Sequence, residues 1–350
     1  MKLIKIPRNR ISAFIILSLT LSVLCTLSGC GSSGNIPGAS TGSYLTRSGF
    51  CFDTLISITL YNNGSEELLD DCFDMCTGYE NLLSMTVSGS DISRINAAGA
   101  NEPVTVSSDT IDFIEAAIEY YDRSDGLLDI SVAPLTQLWT DARNEETPPD
   151  NSRLEQLLPH TGLDKLSCDR ALSAVTKSDG NLMLDPGALG KGFVADRLKE
   201  MLIERGVDSA IISLGGNILT IGSKPDGAGF RIGIKKPFSE YDDVAASLRV
   251  KDLSVVTSGV YERYFVYDNR LYHHILDPET GSPAATDLYS VTIISNSSLD
   301  GDALSTICLL EGLEEASRLI ENTPGVEAVF ITEDNELHYT GGASEYLENK

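Results

Sequence analysis

Between Ser209 and Ser295 the sequence consists mainly of short apolar segments separated by turn residues. Such segments, bounded by turns, are typical of β-strands. Some of them follow one another across turns as short as Asp268-Asn269, and so short a connection joins antiparallel strands. Because helical segments flank this region, the sequence predicts an α+β fold of antiparallel sheets with packed helices. The predicted strands here are Ser209–Ser213, Ile218–Ile221, Phe230–Lys235, Ala245–Val250, Leu253–Thr257, Arg263–Tyr267, Leu271–Leu276 and Tyr289–Ser295.

The rest of the chain shows helical spacing of apolar residues in several segments. The predicted helices are Glu66–Leu83, Thr110–Arg123, Pro134–Ala142, Ser152–Leu158, a helix that ends near Arg205, Asp302–Leu310 and Leu313–Asn322. Further predicted strands are Thr54–Tyr61, Leu172–Thr176, Asn181–Leu184, and a hairpin of Val326–Thr332 with Glu336–Thr340. No Pro/Ser-rich linker interrupts residues 50–340, so we expect a single two-lobed domain over residues 47–345.

Residues 1–29 have the features of a bacterial export signal. A basic start without acidic residues precedes an apolar run, Ile11–Leu24, which is short for the ~20 residues of a membrane-spanning helix. The run ends in Leu27-Ser28-Gly29-Cys30, which resembles the lipobox of bacterial lipoproteins. That resemblance implies cleavage before Cys30, a diacylglyceride on its thiol, and a protein anchored in the cell membrane on the extracytoplasmic face. Residues 30–46 are rich in Gly, Ser and Thr and predict a flexible tether.

The chain is strongly acidic, with a formal net charge of −25. Loss of residues 1–29 would remove four positive and no negative charges, which gives −29. Such a surface repels nucleic acid, so we expect no nucleic-acid partner. A ligand that carries phosphate would need a local attraction, such as a metal ion, a lysine or backbone amides. The five cysteines that follow Cys30 include no CxxC pair, and we expect them to be small buried apolar residues.

A glycine-rich segment, Asp185-Pro186-Gly187-Ala188-Leu189-Gly190-Lys191-Gly192, precedes the predicted helix that ends near Arg205. Its glycines allow a close approach of backbone to a ligand, and the helix that follows presents its positive N-terminal end. The spacing differs from that of a P-loop, and Gly192 stands where a Ser or Thr would bind magnesium. From these residues alone, a structural turn and a phosphate-binding loop are equally consistent.

A second segment, Asp300-Gly301-Asp302-Ala303-Leu304-Ser305-Thr306, combines acidic and hydroxyl residues. On a helix, Asp302 and Thr306 lie side by side, and their oxygens could share one hard cation such as Mg²⁺. Alternatively, Asp300 is a helix N-cap and Asp302 an ordinary exposed residue.

A third segment, His273–Pro283, ends a predicted strand in a turn. Adjacent side chains on a strand point to opposite faces, so at most one of His273 and His274 can face a site. Packing or solvation is the alternative role of either histidine. The sequence has no HExxH motif, and Ser258 lacks the flanking residues of a nucleophile elbow.

The order of these segments is more informative than any one of them. DPGALGKGFVAD at 185–196, SLGGNI at 213–218, TSGVYE at 257–262, HILDPETGSP at 274–283 and DALST at 302–306 follow one another along the chain. Phe52-Asp53-Thr54, Ser90–Asn96 and Gly126–Ser131 add to the pattern. So arranged, they resemble the ApbE-type FAD:protein FMN transferases, and the resemblance covers roughly residues 50–340.

This resemblance implies a Mg²⁺-dependent transfer of FMN from its substrate FAD to a threonine hydroxyl, with release of AMP. The acceptor would be a flavoprotein of an electron-transfer system. Asp302 and Thr306 would bind Mg²⁺ through their side chains and Ala188 through its carbonyl, while His274, like Asp302, would be catalytic. The implied FAD contacts are Thr86, Leu127, Leu128, Asp129, Asp185, Lys191 and Ile275.

Two of the departures from the family pattern lie in the N-terminal half of the chain. Phe52-Asp53 stands where Met-Gly is usual, and Thr86 where some members have an aromatic residue that stacks on the ligand. Neither departure removes an implied metal ligand. Two alternative functions stay open: an FAD pyrophosphatase that releases FMN and AMP, and a non-catalytic flavin-binding lipoprotein.

Overall fold

The structure is a computed structural model that describes residues 44–239 and 243–348. Within them lie eight α-helices, α1 to α8, at Glu66–Leu83, Asp91–Ala97, Ser108–Arg123, Ala133–Asn144, Asn151–Leu157, Gly190–Glu204, Ser298–Glu311 and Leu313–Glu321. The described strands, β1 to β15, are Leu45–Cys51, Thr54–Leu60, Val104–Thr105, Leu166–Asp169, Ala174–Lys177, Ser209–Leu214, Asn217–Gly222, Phe230–Lys235, Val244–Val250, Ser254–Gly259, Tyr264–Tyr267, Arg270–His273, Leu288–Ser295, Glu327–Thr332 and Leu337–Tyr339.

The centre of the fold is an eight-stranded sheet in the order β1-β2-β6-β7-β10-β13-β14-β15. Every pair of neighbouring strands in it is antiparallel. Smaller antiparallel sheets are formed by β3-β5-β4, β8-β9 and β11-β12. The predicted α+β architecture of antiparallel sheets with packed helices is therefore confirmed.

Helices cover one face of the large sheet and a hairpin covers the other. Alternate residues of β2, such as Ile56 and Ile58, are fully buried beneath α1, α3, α6 and α7. On the opposite face the β8-β9 hairpin packs Phe230 and Leu248 against β10, β13 and β14. A separate small core around Trp139 joins α4 and α5 to β11-β12. The predicted division of the domain into two lobes stays a prediction.

Several predicted elements differ from the observed ones. The sequence prediction included neither β1 nor α2, and β1 begins at Leu45, inside the predicted tether. The predicted strand Asn181–Leu184 is wrong, because only Met183 forms an isolated bridge, to Val132. The helix predicted at Asp302–Leu310 begins four residues earlier than predicted, since α7 begins at Ser298.

The export signal, Cys30 and most of the tether lie outside the described residues. Among residues 44–239 and 243–348, no helix is both long enough and apolar enough to cross a bilayer. The described chain continues past the predicted domain end at 345. Arg249 N–H donates to the Tyr346 carbonyl over 2.7 Å, and Glu348 N–H donates to the Ser247 carbonyl over 2.8 Å.

Candidate active site

The β6-β7 turn, the end of β10 and the β1-β2 turn meet at one end of the strands of the large sheet. The β6-β7 turn, Gly215-Gly216, lies beside the end of β10, where Thr257 N–H donates to the Gly216 carbonyl over 3.0 Å. The β1-β2 turn approaches the same place, because a Cβ on Gly215 would lie 2.6 Å from Cγ2 of Thr54. Gly215 also has a φ of +55°, so both its space and its conformation favour glycine.

Helices α6 and α7 cross in close contact at Gly192. A Cβ at this position would lie 2.8 Å from the Leu299 Cα, so only glycine allows the two backbones to approach this closely. The Gly192 N–H donates to Oδ2 of Asp302 over 2.6 Å. This contact brings the two predicted segments, DPGALGKG and DALST, into one site.

Asp196, about one turn after Gly192 on α6, caps α7. Its carboxylate accepts hydrogen bonds from the N–H groups of Ser298 over 2.8 Å and Leu299 over 3.0 Å, and from Ser297 Oγ over 2.8 Å. Burial raises the pKa of Asp196, and these hydrogen bonds oppose that shift. No local sequence pattern marks Asp196 as a cap, because the helix that it caps is remote in the sequence.

The N-terminus of α7 also corrects the predicted role of Asp300. The N-cap is Ser297, whose Oγ accepts from Asp300 N–H over 3.1 Å. The Asp300 carboxylate instead accepts a hydrogen bond from the hydroxyl of Tyr120, on α3. That contact raises the pKa of Tyr120, an effect second to burial.

Asp302 is only 4% exposed, so it is not the exposed surface residue of the alternative interpretation. Burial raises the pKa of its carboxyl group, whereas Lys191, the Gly192 N–H and the Asn217 side chain lower it. The Nδ2 of Asn217 is buried and has no hydrogen-bond partner in the described structure. A buried carboxylate without an ion-pair partner is costly when ionised, and a bound cation would offset that cost.

The donor set around Asp302 fits Mg²⁺. No group of three or more His, Cys, Asp or Glu within the described ranges could hold a metal ion by itself. Mg²⁺ does not need such a group, because it commonly takes one or two carboxylates together with waters and substrate phosphates. Thr306 lies one turn after Asp302 on α7 and is partly exposed, and Ala188 lies in the Pro186–Ala188 turn that packs against α7.

The glycine-rich segment 185–192, called the glycine turn below, is shaped by its first residue, Asp185. Asp185 Oδ1 accepts from Gly187 N–H over 2.9 Å, and Asp185 N–H donates to the Ile130 carbonyl over 2.6 Å. Lys191 is partly exposed and folds back over the turn, where its Nζ lies 3.3 Å from the Gly187 carbonyl. Asp185 thus has a structural role in the turn, and Lys191 offers a positive charge at its surface.

The segment Leu127–Asp129 adjoins this turn through Ile130. Leu128 is buried in the main core, and the Asp129 carboxylate accepts from the N–H groups of Ser131 over 2.7 Å and Gly162 over 3.0 Å. Burial raises the pKa of Asp129. Leu127 is the member of this segment that is partly exposed.

Thr86 lies in the loop after α1 and is exposed. Its Oγ1 is 3.1 Å from Oγ of Ser84, and its N–H donates to the same oxygen over 3.2 Å. These hydrogen bonds connect Thr86 to none of the other predicted site residues.

The two histidines lie where β12 ends. His274 N–H donates to the Arg263 carbonyl over 3.1 Å, and the Ile275 carbonyl accepts from Ala284 N–H over 3.0 Å. The Nδ1 atoms of both histidines are buried and lack hydrogen-bond partners in the part of the chain that is described. Burial lowers the pKa of His274 to about 3, and the charges of Arg263 and Lys191 contribute to the shift. The positive charge of Lys191 thus lowers the pKa values of both His274 and Asp302.

Residues 52–330 match the sequence model of the ApbE family. The chain belongs to the ApbE family. A relative from Klebsiella pneumoniae (strain 342), named FAD:protein FMN transferase, is 34% identical over 81% of this chain and 87% of its own length. One of the same name from Treponema pallidum (strain Nichols) is 31% identical over 91% of this chain and 92% of its own. The crystal structure of the ApbE protein from Thermotoga maritima superposes with a TM-score of 0.79 at 29% identity, and covers 87% of this chain and 100% of that one.

Membership of the ApbE family confirms the resemblance that the order of the motifs predicted. The matched residues 52–330 contain Lys191, His274 and Asp302 together with the turns that surround them. The site described above therefore lies wholly inside the family region.

Proposed function

We propose that this protein is a Mg²⁺-dependent enzyme that transfers the FMN part of FAD to a threonine hydroxyl of a partner flavoprotein. The observation that supports the proposal most is the 2.6 Å hydrogen bond from Gly192 N–H to the Asp302 carboxylate. This bond holds a buried carboxylate next to the glycine turn. The name FAD:protein FMN transferase, carried by both relatives above, supports it further.

In the proposed reaction, the acceptor's hydroxyl oxygen attacks the phosphorus on the FMN side of the FAD pyrophosphate. The bond from that phosphorus to the bridging oxygen breaks, and AMP leaves with this oxygen. The hydroxyl proton is released, and no electrons are transferred. Because charge spreads over the phosphate oxygens in such a reaction, catalysis depends mostly on positioning and on neutralisation of charge.

Four residues would supply that environment. Asp302 and Thr306 would hold Mg²⁺ through their side chains and Ala188 through its carbonyl oxygen. When bound, Mg²⁺ would neutralise charge on the pyrophosphate and orient it. Lys191 would bind phosphate directly, in a chain whose net charge of −25 otherwise repels it.

His274 would orient the acceptor hydroxyl or accept its proton. Its Nδ1 lacks a partner, and the pKa of about 3 keeps the imidazole neutral near pH 7, so that one ring nitrogen can accept a hydrogen bond. The remaining FAD contacts would come from Asp185, Ile275 and Thr86, and from residues 127–129. Because Asp129 is bound to backbone amides, the contact in that segment is expected from Leu127 and the main chain.

The location of the enzyme forms part of the same proposal. Cleavage before Cys30 and lipidation of its thiol would hold the domain on the extracytoplasmic face of the cell membrane through the tether that precedes β1. The acceptor would then be a flavoprotein of an electron-transfer system exposed on that face.

Incubation of the purified domain with FAD, Mg²⁺ and a candidate acceptor tests the proposal. We expect the acceptor to carry covalently bound, fluorescent flavin and to gain the mass of FMN minus one water, and we expect AMP to be released. Free FMN with AMP and an unmodified acceptor would indicate the alternative, an FAD pyrophosphatase. Tight binding of FAD without AMP release would indicate a non-catalytic flavin-binding lipoprotein.

A further inference from the structure

Residues 182–184, which precede the glycine turn, and Asp185, its first residue, lie outside any named strand, yet their backbone groups form hydrogen bonds with several parts of the chain. Asp185 N–H donates to the Ile130 carbonyl over 2.6 Å, and Met183 pairs with Val132 as an isolated bridge. Leu182 N–H donates to the Asp179 carbonyl over 3.2 Å, which leaves the Leu182 carbonyl and both backbone groups of Leu184 without main-chain partners among the described residues. Since Leu182 and Leu184 are fully buried, their polar backbone groups need partners as well.

The side chain of Asn96 supplies both partners of Leu184. Its Oδ1 accepts from Leu184 N–H over 2.7 Å, and its Nδ2 donates to the Leu184 carbonyl over 3.0 Å. One amide side chain therefore reproduces the two hydrogen bonds that a neighbouring strand would make. Asn96 lies at the end of α2, 88 positions earlier in the sequence.

Lys177 supplies the partner of Leu182 and also ties down Asn96. Its Nζ donates to the Leu182 carbonyl over 2.8 Å and to the backbone carbonyl of Asn96 over 2.9 Å. The side chain is only 1% exposed, and no described carboxylate lies within ion-pair distance of it. A buried lysine that binds two carbonyl groups is a specific and costly arrangement.

We propose that Asn96 and Lys177 are positioning residues that hold the glycine turn at the geometry needed for Mg²⁺ and pyrophosphate. This inference rests on the proposed function for its substrate, but its structural content concerns this chain alone. Leu184 directly precedes Asp185, whose carboxylate shapes the turn that carries Ala188 and Lys191. A shift of Leu184 would therefore move the proposed carbonyl ligand relative to Asp302, which is fixed to α6.

Asn96→Ala is the direct test, because it removes both hydrogen bonds to Leu184 while the helix continues. We expect kcat to fall ~10- to 100-fold and the Mg²⁺ concentration for half-maximal activity to rise, with little change in the KM for FAD. Hydrogen exchange gives a second readout that needs no turnover. We expect the amides of Gly187, Leu189 and Gly192 to exchange at least ~10-fold faster than in the unmodified protein.

Arg94→Ala is the matched control on the same helix. Arg94 donates to the Thr105 carbonyl over 2.7 Å and forms an ion pair with Asp91, and none of its described hydrogen bonds or ion pairs involves residues 182–192. It should lower thermal stability while kcat and exchange at the turn stay unchanged. Lys177→Met, which keeps the length but not the charge, should resemble Asn96→Ala in its effects on exchange at Leu189.

The outcomes separate the two proposals. If Asn96→Ala lowers only thermal stability, as Arg94→Ala does, and exchange at the turn stays slow, the positioning role is wrong. If the unmodified protein neither consumes FAD nor responds to Mg²⁺, the proposed function fails, and exchange at Gly187 and Leu189 still decides the positioning role.

Discussion

The backbone N–H of Gly192 and the carboxylate of Asp302 are joined by a 2.6 Å hydrogen bond between two helices that cross without an intervening side chain. The same helices are joined again at Asp196, which caps α7 from α6. Together these contacts fix the acidic group relative to the glycine turn. Predictions about the metal, the crossing and the cap follow from this arrangement.

Asp302→Asn should separate metal binding from folding. The amide keeps the size of the side chain and an oxygen for the Gly192 N–H, but it removes a buried charge. In EDTA we expect the thermal midpoint to be unchanged or slightly higher than that of the unmodified protein. Addition of Mg²⁺ with FAD should raise the midpoint of the unmodified protein only, and activity should fall ~10²–10³-fold. A full Mg²⁺ response in the variant would contradict the metal assignment.

Gly192→Ala should destabilise the protein by about 1–3 kcal/mol, because the new methyl group meets the backbone of α7. Urea unfolding followed by circular dichroism measures this change. Gly78→Ala is the matched control, since Gly78 lies on the exposed side of α1 and a Cβ there meets nothing within 4 Å. That variant should gain about 0.5–1 kcal/mol from helix propensity. Equal stability of the two variants would argue against the close crossing.

Asp196→Ala should cost about 1–3 kcal/mol, because the buried N–H groups at the start of α7 lose their acceptor. Asp150→Ala removes an exposed cap of α5, where Asp150 Oδ1 accepts from Ser152 N–H over 2.9 Å. We expect at most about 1 kcal/mol there. The difference between the losses of unfolding free energy in the two variants measures how much burial increases the stabilisation that a capping carboxylate provides.

His273 and His274 should not titrate near neutral pH. Burial lowers their pKa values to about 4 and about 3, so both rings are neutral in the folded protein at pH 5–8. A depressed histidine pKa stabilises the fold above the unfolded pKa of ~6.5, and this contribution is lost as the pH falls towards the folded values. Stability should therefore decrease below pH 6, and NMR of the ring protons should show no titration of either histidine between pH 5 and 8. A titration midpoint near pH 6.5 for His274 would show that its ring is exposed to solvent.

Elements that are determined by local sequence patterns were predicted correctly. Helix α1 was predicted at its observed bounds, Glu66–Leu83, because its apolar spacing is regular and Ser65 caps it. The Asp268-Asn269 turn was equally clear, and both residues have the positive φ values, 48° and 60°, that tight hairpins need.

Other features depended on contacts remote in sequence. The stretch at 181–184 has the composition of a strand, but its hydrogen-bond partners are the side chains of Asn96 and Lys177, which no local pattern reveals. The Asp196 cap was missed for the same reason. Within the site, spacing placed Asp302 beside Thr306, whereas its contact with Gly192 followed only from the crossing of α6 with α7.

Gly192 and Asp302 are 110 positions apart, and Asp302 lies near the C-terminal end of the chain. A growing polypeptide therefore cannot form the contact between Gly192 and Asp302 until ribosomal synthesis has passed α7. Nascent or prematurely terminated chains would have the glycine turn without the carboxylate that accepts the Gly192 N–H.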